Sequence, residues 1–247
     1  MRSAGLFIIL EPDKAVLLCA RRSYDGTTYY ERDTVVLQQA NFLEKISIPR
    51  GKRDNQDIFE YETAIREFIE ETGTFFRNAY VYQKPFVLQW KDCGVTYKYS
   101  IYVGIVKEGL VNVSREPNTF CVKLASDYRN NDYRIVIETR KHNNELPRYV
   151  YIIPLQEYFQ YMNEKQLVTY DSSNYLEFFE FVKYVKYMYK VAKDRSNRFF
   201  LLCLRLGENK WNRERVNTKS SPYSHNSNNN KPYFLTTQEL KNIINVV

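Results

Sequence analysis

Two linked stretches decide how this chain is read. The first is Ile48-Pro49-Arg50-Gly51-Lys52-Arg53. The second is Glu60-Tyr61-Glu62-Thr63-Ala64-Ile65-Arg66-Glu67-Phe68-Ile69-Glu70-Glu71-Thr72-Gly73. The second has a helical period over Ile58 to Thr72: Tyr61, Ala64, Ile65, Phe68 and Ile69 recur at three- and four-residue spacing and form one apolar stripe. Gly73 stands where a helix C-cap belongs. Glu67, Glu70 and Glu71 project from the side opposite the stripe. Three carboxylates so spaced repel one another and call for a cation, and carboxylate oxygen selects hard divalent ions such as Mg2+ or Mn2+. Arg66 is placed to pin one carboxylate by a charge-assisted hydrogen bond. Gly51 leaves room for a backbone carbonyl to approach the same ion, because no side chain blocks it. A solvated acidic helix face would account for Glu70 and Glu71 alone. It does not account for the Pro-Arg-Gly-Lys turn ahead of the helix together with the glycine at its end.

The elements on either side alternate between strand and helix. Gly5–Leu10 and Ala15–Ala20 are apolar runs around a Pro-Asp turn and predict a β-hairpin that Arg21-Arg22 closes. Residues 23–41 read as a polar surface loop, followed by a short strand from Glu44 to Ile48. Strands are expected at 79–90 and 95–106, joined by Lys91-Asp92-Cys93-Gly94, and again at Tyr133–Glu138 and Tyr149–Ile153. Pro154 begins a short helix to Met162. Ser173–Lys190 reads as a long helix with Leu176, Phe179, Val182, Val185 and Tyr189 on one face. The tail holds one apolar run, Phe199–Leu204, then a Ser/Asn/Lys-rich stretch over 217–232 read as a linker. A terminal helix is expected from Thr236 to Val247, capped by Thr236 or Thr237.

Composition excludes several chemistries. With 22 Tyr and 15 Phe against 8 Gly and 8 Pro, the chain can build a sizeable core and is not disordered throughout. Cys19, Cys93, Cys121 and Cys203 form no CxxC pair, which argues against a zinc ribbon or a thioredoxin-like site and favours reduced thiols. His142 and His225 lie in polar surroundings and are poor candidates for a triad imidazole. The first apolar run is too short to span a membrane and lacks a secretory cleavage pattern, so an intracellular protein with no membrane partner is expected. The formal charge of +7 favours anionic partners such as nucleotides or nucleic acid.

The box of residues resembles that of the Nudix hydrolases, a Gly-containing loop and a helix bearing Arg-Glu-hydrophobe-X-Glu-Glu-X-Gly. Arg66, Glu67, Phe68, Glu70, Glu71 and Gly73 match in order and spacing. Gly51 matches the loop glycine with one extra residue before Arg66. That residue displaces the first glutamate of the box: the helix-side register puts Ile58 there and the loop-side register Asp57, so that either Asp57 or Glu60 is the substitute. The N-terminal hairpin ending in Arg21-Arg22 resembles the usual Nudix entry strands, and the Leu88–Asp92 and Val95–Tyr99 hairpin and Asp171-Ser172-Ser173-Asn174-Tyr175 are similar to the Nudix proteins of baculoviruses, which are regarded as ADP-ribose pyrophosphatases. The likeness covers residues 1–190, a catalytic domain, and leaves 191–247 as a basic extension.

The resemblance implies an α/β fold, an α/β/α sandwich around a mixed sheet, and hydrolysis of a nucleoside diphosphate linked to another moiety. By position, Glu67, Glu70, Glu71 and the Gly51 carbonyl would bind Mg2+ or Mn2+. Glu70 is the first choice for the base and Glu116, on a later loop, the alternative. Arg66 would orient the box. Arg50 and Lys52 would meet phosphate oxygens, with Arg22 and Trp90 as further substrate contacts. ADP-ribose or a similar small nucleotide is favoured as substrate. The competing substrate is capped RNA, because Pro49-Arg50-Gly51-Lys52 is close to the Pro-Lys-Gly-Lys turn of viral-type decapping enzymes. Basic stretches with interleaved tyrosines, among them Lys183–Lys193, would suit an RNA backbone. A third reading is a Nudix-like RNA-binding protein without catalysis. A viral protein of this kind would sit in the cytoplasm or nucleus of its host cell.

Overall fold

A computed structural model describes residues 3–20, 46–92, 94–127, 131–140, 148–166, 172–192 and 194–207. The polar loop at 23–41, Arg22, both histidines, the linker at 217–232 and the terminal helix lie outside the described residues.

The apolar runs of the N-terminal hairpin are β1 (Ser3–Leu10) and β2 (Lys14–Ala20). β1 is buried from Ala4 to Ile9, the mark of a strand covered on both faces. It runs parallel to β8 (Val95–Val106) on one side. On the other side its C-terminal half pairs with β2 and its N-terminal half with β4 (Arg50–Lys52). A short β3 (Ile46–Ser47) pairs with β2.

The mixed sheet continues outward from β8 through β6 (Asn78–Tyr82), β13 (Phe199–Leu206), β11 (Asp132–Thr139) and β10 (Phe120–Asp127). β12 (Arg148–Pro154) forms the far edge beyond β2, and β7 (Phe86–Asp92) pairs with the first half of β8. A separate two-stranded ribbon joins β5 (Thr74–Phe75) to β9 (Val111–Asn112) directly after the box helix.

Alternation along β1 splits the core into two layers. Leu6 and Ile8 pack with Ile65, Phe68 and Ile69 of α1 (Glu60–Thr72). Phe7 and Ile9 pack on the other face with Tyr158 of α2 (Leu155–Tyr161) and with Phe178 and Val182 of α3 (Tyr175–Val191). Helices therefore cover both faces of a mixed sheet. A π-helical turn, Met162–Gln166, follows α2. Among the described residues no helix is long and apolar enough to cross a membrane.

Three differences from the sequence reading have physical causes. The strand expected over 79–90 is two strands, because Pro85 has no N–H to give a ladder and the pairing is interrupted there: β6 lies between β13 and β8, whereas β7 pairs with β8 further along that strand. β10 was not foreseen, although Phe120, Val122 and Leu124 alternate with Cys121, Lys123 and Ala125 at strand period. The run at 199–204, read as part of an extension, is β13, an interior strand bonded to β6 and β11. The sheet therefore reaches past the expected boundary at 190. Leu202 is fully buried at its centre. Leu202→Ala is expected to destabilise the fold by about 2–5 kcal/mol, read as a lower urea midpoint; a change under about 0.5 kcal/mol, the surface-site range, would show that β13 is not part of the core.

Candidate functional site

The site begins with the start of α1. Glu62 reaches back so that its Oε2 accepts the Phe59 N–H at 2.9 Å and also the Ile58 N–H, satisfying donors that the first helical turn leaves open. The Tyr133 hydroxyl of β11 donates to the other oxygen of Glu62 at 3.0 Å. Burial first, then the neighbouring Tyr61 and Glu62, push the Tyr133 phenol well above its usual pKa, so it stays a donor. The helix ends on Gly73 at φ +64°, its N–H bonded to the Ile69 carbonyl at 2.9 Å. A side chain there would be strained and would press on the Arg115 carbonyl and Pro117.

Between these ends Arg66 gathers the acids. Its guanidinium donates to both oxygens of Asp57 at 3.0–3.2 Å, to Glu67 Oε1 at 2.9 Å, to Glu70 Oε2 at 3.2 Å and to the Lys52 carbonyl at 2.8 Å. Burial alone would lower its pKa; the Asp57 hydrogen bonds and the charges of Glu67, Glu70 and Asp57 outweigh that and raise it. Asp57 is itself buried and accepts from Thr63 Oγ1 at 2.9 Å and from the Asp54 N–H at 3.0 Å. Of the two substitutes for the displaced glutamate, Asp57 is therefore the one that faces Arg66. Arg53 closes the loop by donating to the Asp57 and Ile58 carbonyls.

The remaining box acids are held by backbone. Glu70 Oε1 accepts the Val122 N–H of β10 at 2.6 Å, so the unforeseen strand supplies a contact that no local pattern announces. Glu71 Oε2 accepts the Arg50 N–H at 2.8 Å. The Glu67 carboxylate lies directly against Gly51, in the space that a Cβ would fill. The loop of Glu116 packs on the end of α1 through the Asn118 N–H to the Glu70 carbonyl at 2.8 Å, and Glu116 itself is exposed.

Arg50 and Trp90 meet each other. The Arg50 guanidinium lies 5.0 Å from the Trp90 ring centroid and 4.9 Å from that of Tyr99. Trp90 stacks on Tyr97 at 5.5 Å and on Tyr99 at 5.4 Å and is only 6% exposed, whereas Tyr97 is 37% exposed. Lys52 is exposed at the mouth of the turn.

By donor chemistry, the Glu67, Glu70 and Glu71 oxygens and the Gly51 carbonyl suit a hard divalent ion, and the absence of a side chain on Gly51 is what lets the Glu67 carboxylate reach that turn. Among the described residues, no three or more His, Cys, Asp or Glu converge as a ready-made metal cluster. Arg66 holds Glu67 and Glu70, while the Arg50 and Val122 N–H groups hold Glu71 and Glu70.

No family model matches the chain. It is 58% identical over 177 residues, 72% of this chain and 80% of the relative, to a protein named ADP-ribose pyrophosphatase ORF38 of Autographa californica nuclear polyhedrosis virus. An uncharacterized 24.3 kDa protein of Orgyia pseudotsugata multicapsid polyhedrosis virus is 58% identical over the same length.

Removing Asp57 leaves Arg66 buried without its main partner. Asp57→Ala is expected to cost about 3–5 kcal/mol and Glu60→Ala under about 0.5 kcal/mol, measured by urea denaturation. The reverse order would move the displaced acid to Glu60.

Proposed function

The chain belongs to the baculovirus Nudix hydrolases, and from that premise we propose that it is a metal-dependent pyrophosphatase of the Nudix sandwich fold, cleaving ADP-ribose or a similar small nucleoside diphosphate to release AMP. The observation that carries the reading is the joint placement of Glu67 on Gly51, Glu70 on Arg66 and Glu71 on Arg50, at the end of a turn that also carries Lys52. The relative's name supplies the substrate class.

In this reading Glu67, Glu70, Glu71 and the Gly51 carbonyl hold Mg2+ or Mn2+. Such an ion, when bound, neutralises diphosphate charge and lowers the pKa of an attacking water. Arg66 keeps Glu67 and Glu70 side by side and does not touch substrate. A diphosphate brings further negative charge to the mouth of the turn, where the Lys52 ammonium meets phosphate oxygens as a point charge. Trp90, being sealed, shapes the wall, and the more open Tyr97 offers a face for the base.

For the base, Glu70 has both oxygens engaged, Oε1 by Val122 and Oε2 by Arg66. Each of its oxygens keeps a second lone pair on which a proton can be taken. Glu116 remains the alternative, carried to this end of α1 by its loop.

Capped RNA is retained as a second substrate on one observation. Along the outer face of α3, Tyr184 and Tyr187 are 44% and 61% exposed, with Lys183, Lys190 and Arg198 exposed nearby. That mixture of rings and cations suits single-stranded RNA.

Purified protein is expected to release AMP from ADP-ribose only when Mg2+ or Mn2+ is supplied, and faster than it removes the cap from RNA. Glu71→Gln is expected to lower kcat by about a hundredfold or more, the scale of a lost metal ligand at 1.36 kcal/mol per decade, with an unchanged melting temperature. Wild-type protein inert on both substrates would refute the enzyme, and an active Glu71→Gln would refute the metal assignment.

A further inference from the structure

We propose that Arg50 is a positioning residue that sets the alignment of Glu71 from the aromatic stack of the β7–β8 hairpin. The inference rests on the metal-site reading of Glu71 given above, and adds to it a residue outside the acidic helix.

One residue makes both ends of the connection. The Arg50 N–H donates to Glu71 Oε2 at 2.8 Å, while its guanidinium sits over Trp90 and Tyr99 at 5.0 and 4.9 Å. The same guanidinium donates through Nη1 to the Ile48 carbonyl at 3.2 Å, which ties the side chain back to its own turn. The turn has little freedom to move otherwise. Arg50 pairs with Gly5 of β1, and the Leu6 N–H donates to the Pro49 carbonyl at 3.1 Å. A Cβ on Gly5 would stand 2.7 Å from the Arg50 Cβ and 2.8 Å from the Pro49 carbonyl, so glycine is needed there for the turn to seat.

The stack itself is closely layered. Trp90 and Tyr97 are directly opposed across the hairpin, Tyr99 lies on the same face, and Tyr175 of α3 backs the indole at 6.1 Å. A planar cation against two such rings, in a site where Trp90 is almost wholly buried, is held in orientation as well as in place. The Arg50 N–H, and with it the Glu71 carboxylate, is thus held from two sides, by the pairing with β1 and by rings on strands that carry none of the box acids. The sequence reading gave Arg50 a phosphate contact; its guanidinium instead faces the rings.

The arrangement also provides a signal. The chain has two tryptophans, and Trp211→Phe leaves Trp90 as the only indole. Mg2+ bound at Glu71 is expected to disturb the Arg50 N–H bond and, through the guanidinium, to change Trp90 emission. In that background, Arg50→Gln takes the cation away from both rings, Tyr99→Leu takes away one of the two rings that orient it, and both keep the backbone N–H of residue 50.

Both variants are expected to abolish the Mg2+-induced change in emission and to raise the half-saturating Mg2+ concentration about tenfold, the order of one desolvated cation–π contact. The KM for ADP-ribose at saturating Mg2+ should stay within about twofold, a difference under about 0.5 kcal/mol. Arg50→Lys, which keeps the charge but not the planar fork, should recover only part of the loss. A lower melting temperature with unchanged Mg2+ dependence in both variants would make the stack merely structural and overturn the proposal, as would a Trp90 emission that Mg2+ leaves untouched in the parent. If Trp90 responds to Mg2+ and the variants abolish the response while no substrate is cleaved, the coupling stands and the pyrophosphatase reading falls.

Discussion

One buried guanidinium organises the acidic side of this protein. Arg66 is taken out of water, which is costly for a cation, and the cost is offset by acceptors on every side: Asp57, Glu67, Glu70 and the Lys52 carbonyl. The account is not symmetric. Among the described residues, the one guanidinium of Arg66 meets three carboxylates, and Glu71 stands on the same helix as Glu67 and Glu70. Arg66 therefore makes the cluster tolerable without neutralising it.

Asp57 gives this constraint its reach. It lies in the loop before α1, not on the helix, yet it takes the fork of Arg66, the Thr63 hydroxyl and the Asp54 N–H. Loop and helix are thereby locked as one body. The turn at 50–52 is fixed on the other side by β1, so the Gly51 cradle and the Glu67 carboxylate are brought together by two independent attachments. A shorter acid in the loop is compatible with the extra residue between Gly51 and Arg66, since the pairing depends on where the carboxylate ends rather than on where its backbone begins.

Much of the fold was legible because its signals are local. The hairpin of β1 and β2, the stripe on α1, the Gly73 cap and the apolar face of α3 each follow from residues a few positions apart, except that Leu176, expected on that face, is exposed and Phe178 is buried there instead. The box was legible for the same reason, since Arg66, Glu67, Glu70 and Glu71 share two turns of helix. What escaped was non-local or interrupted. Pro85 breaks a run that looks continuous. β10 was passed over although its alternation was present. β13 was set apart because its sequence neighbours are polar, while its actual neighbours, β6 and β11, are distant in the chain.

By itself, then, the sequence determined the acid-bearing helix, the acids on it and the glycines that bracket them, because helical period and turn geometry act over short distances. Only the tertiary structure decided which acid meets Arg66, that Val122 and Arg50 hold Glu70 and Glu71, and that Arg50 faces Trp90 and Tyr99. Those contacts join residues 9 to 52 positions apart. Which strand edge and which turn come to lie over the helix is set by the burial of both faces of the sheet, and that depends on the whole chain at once.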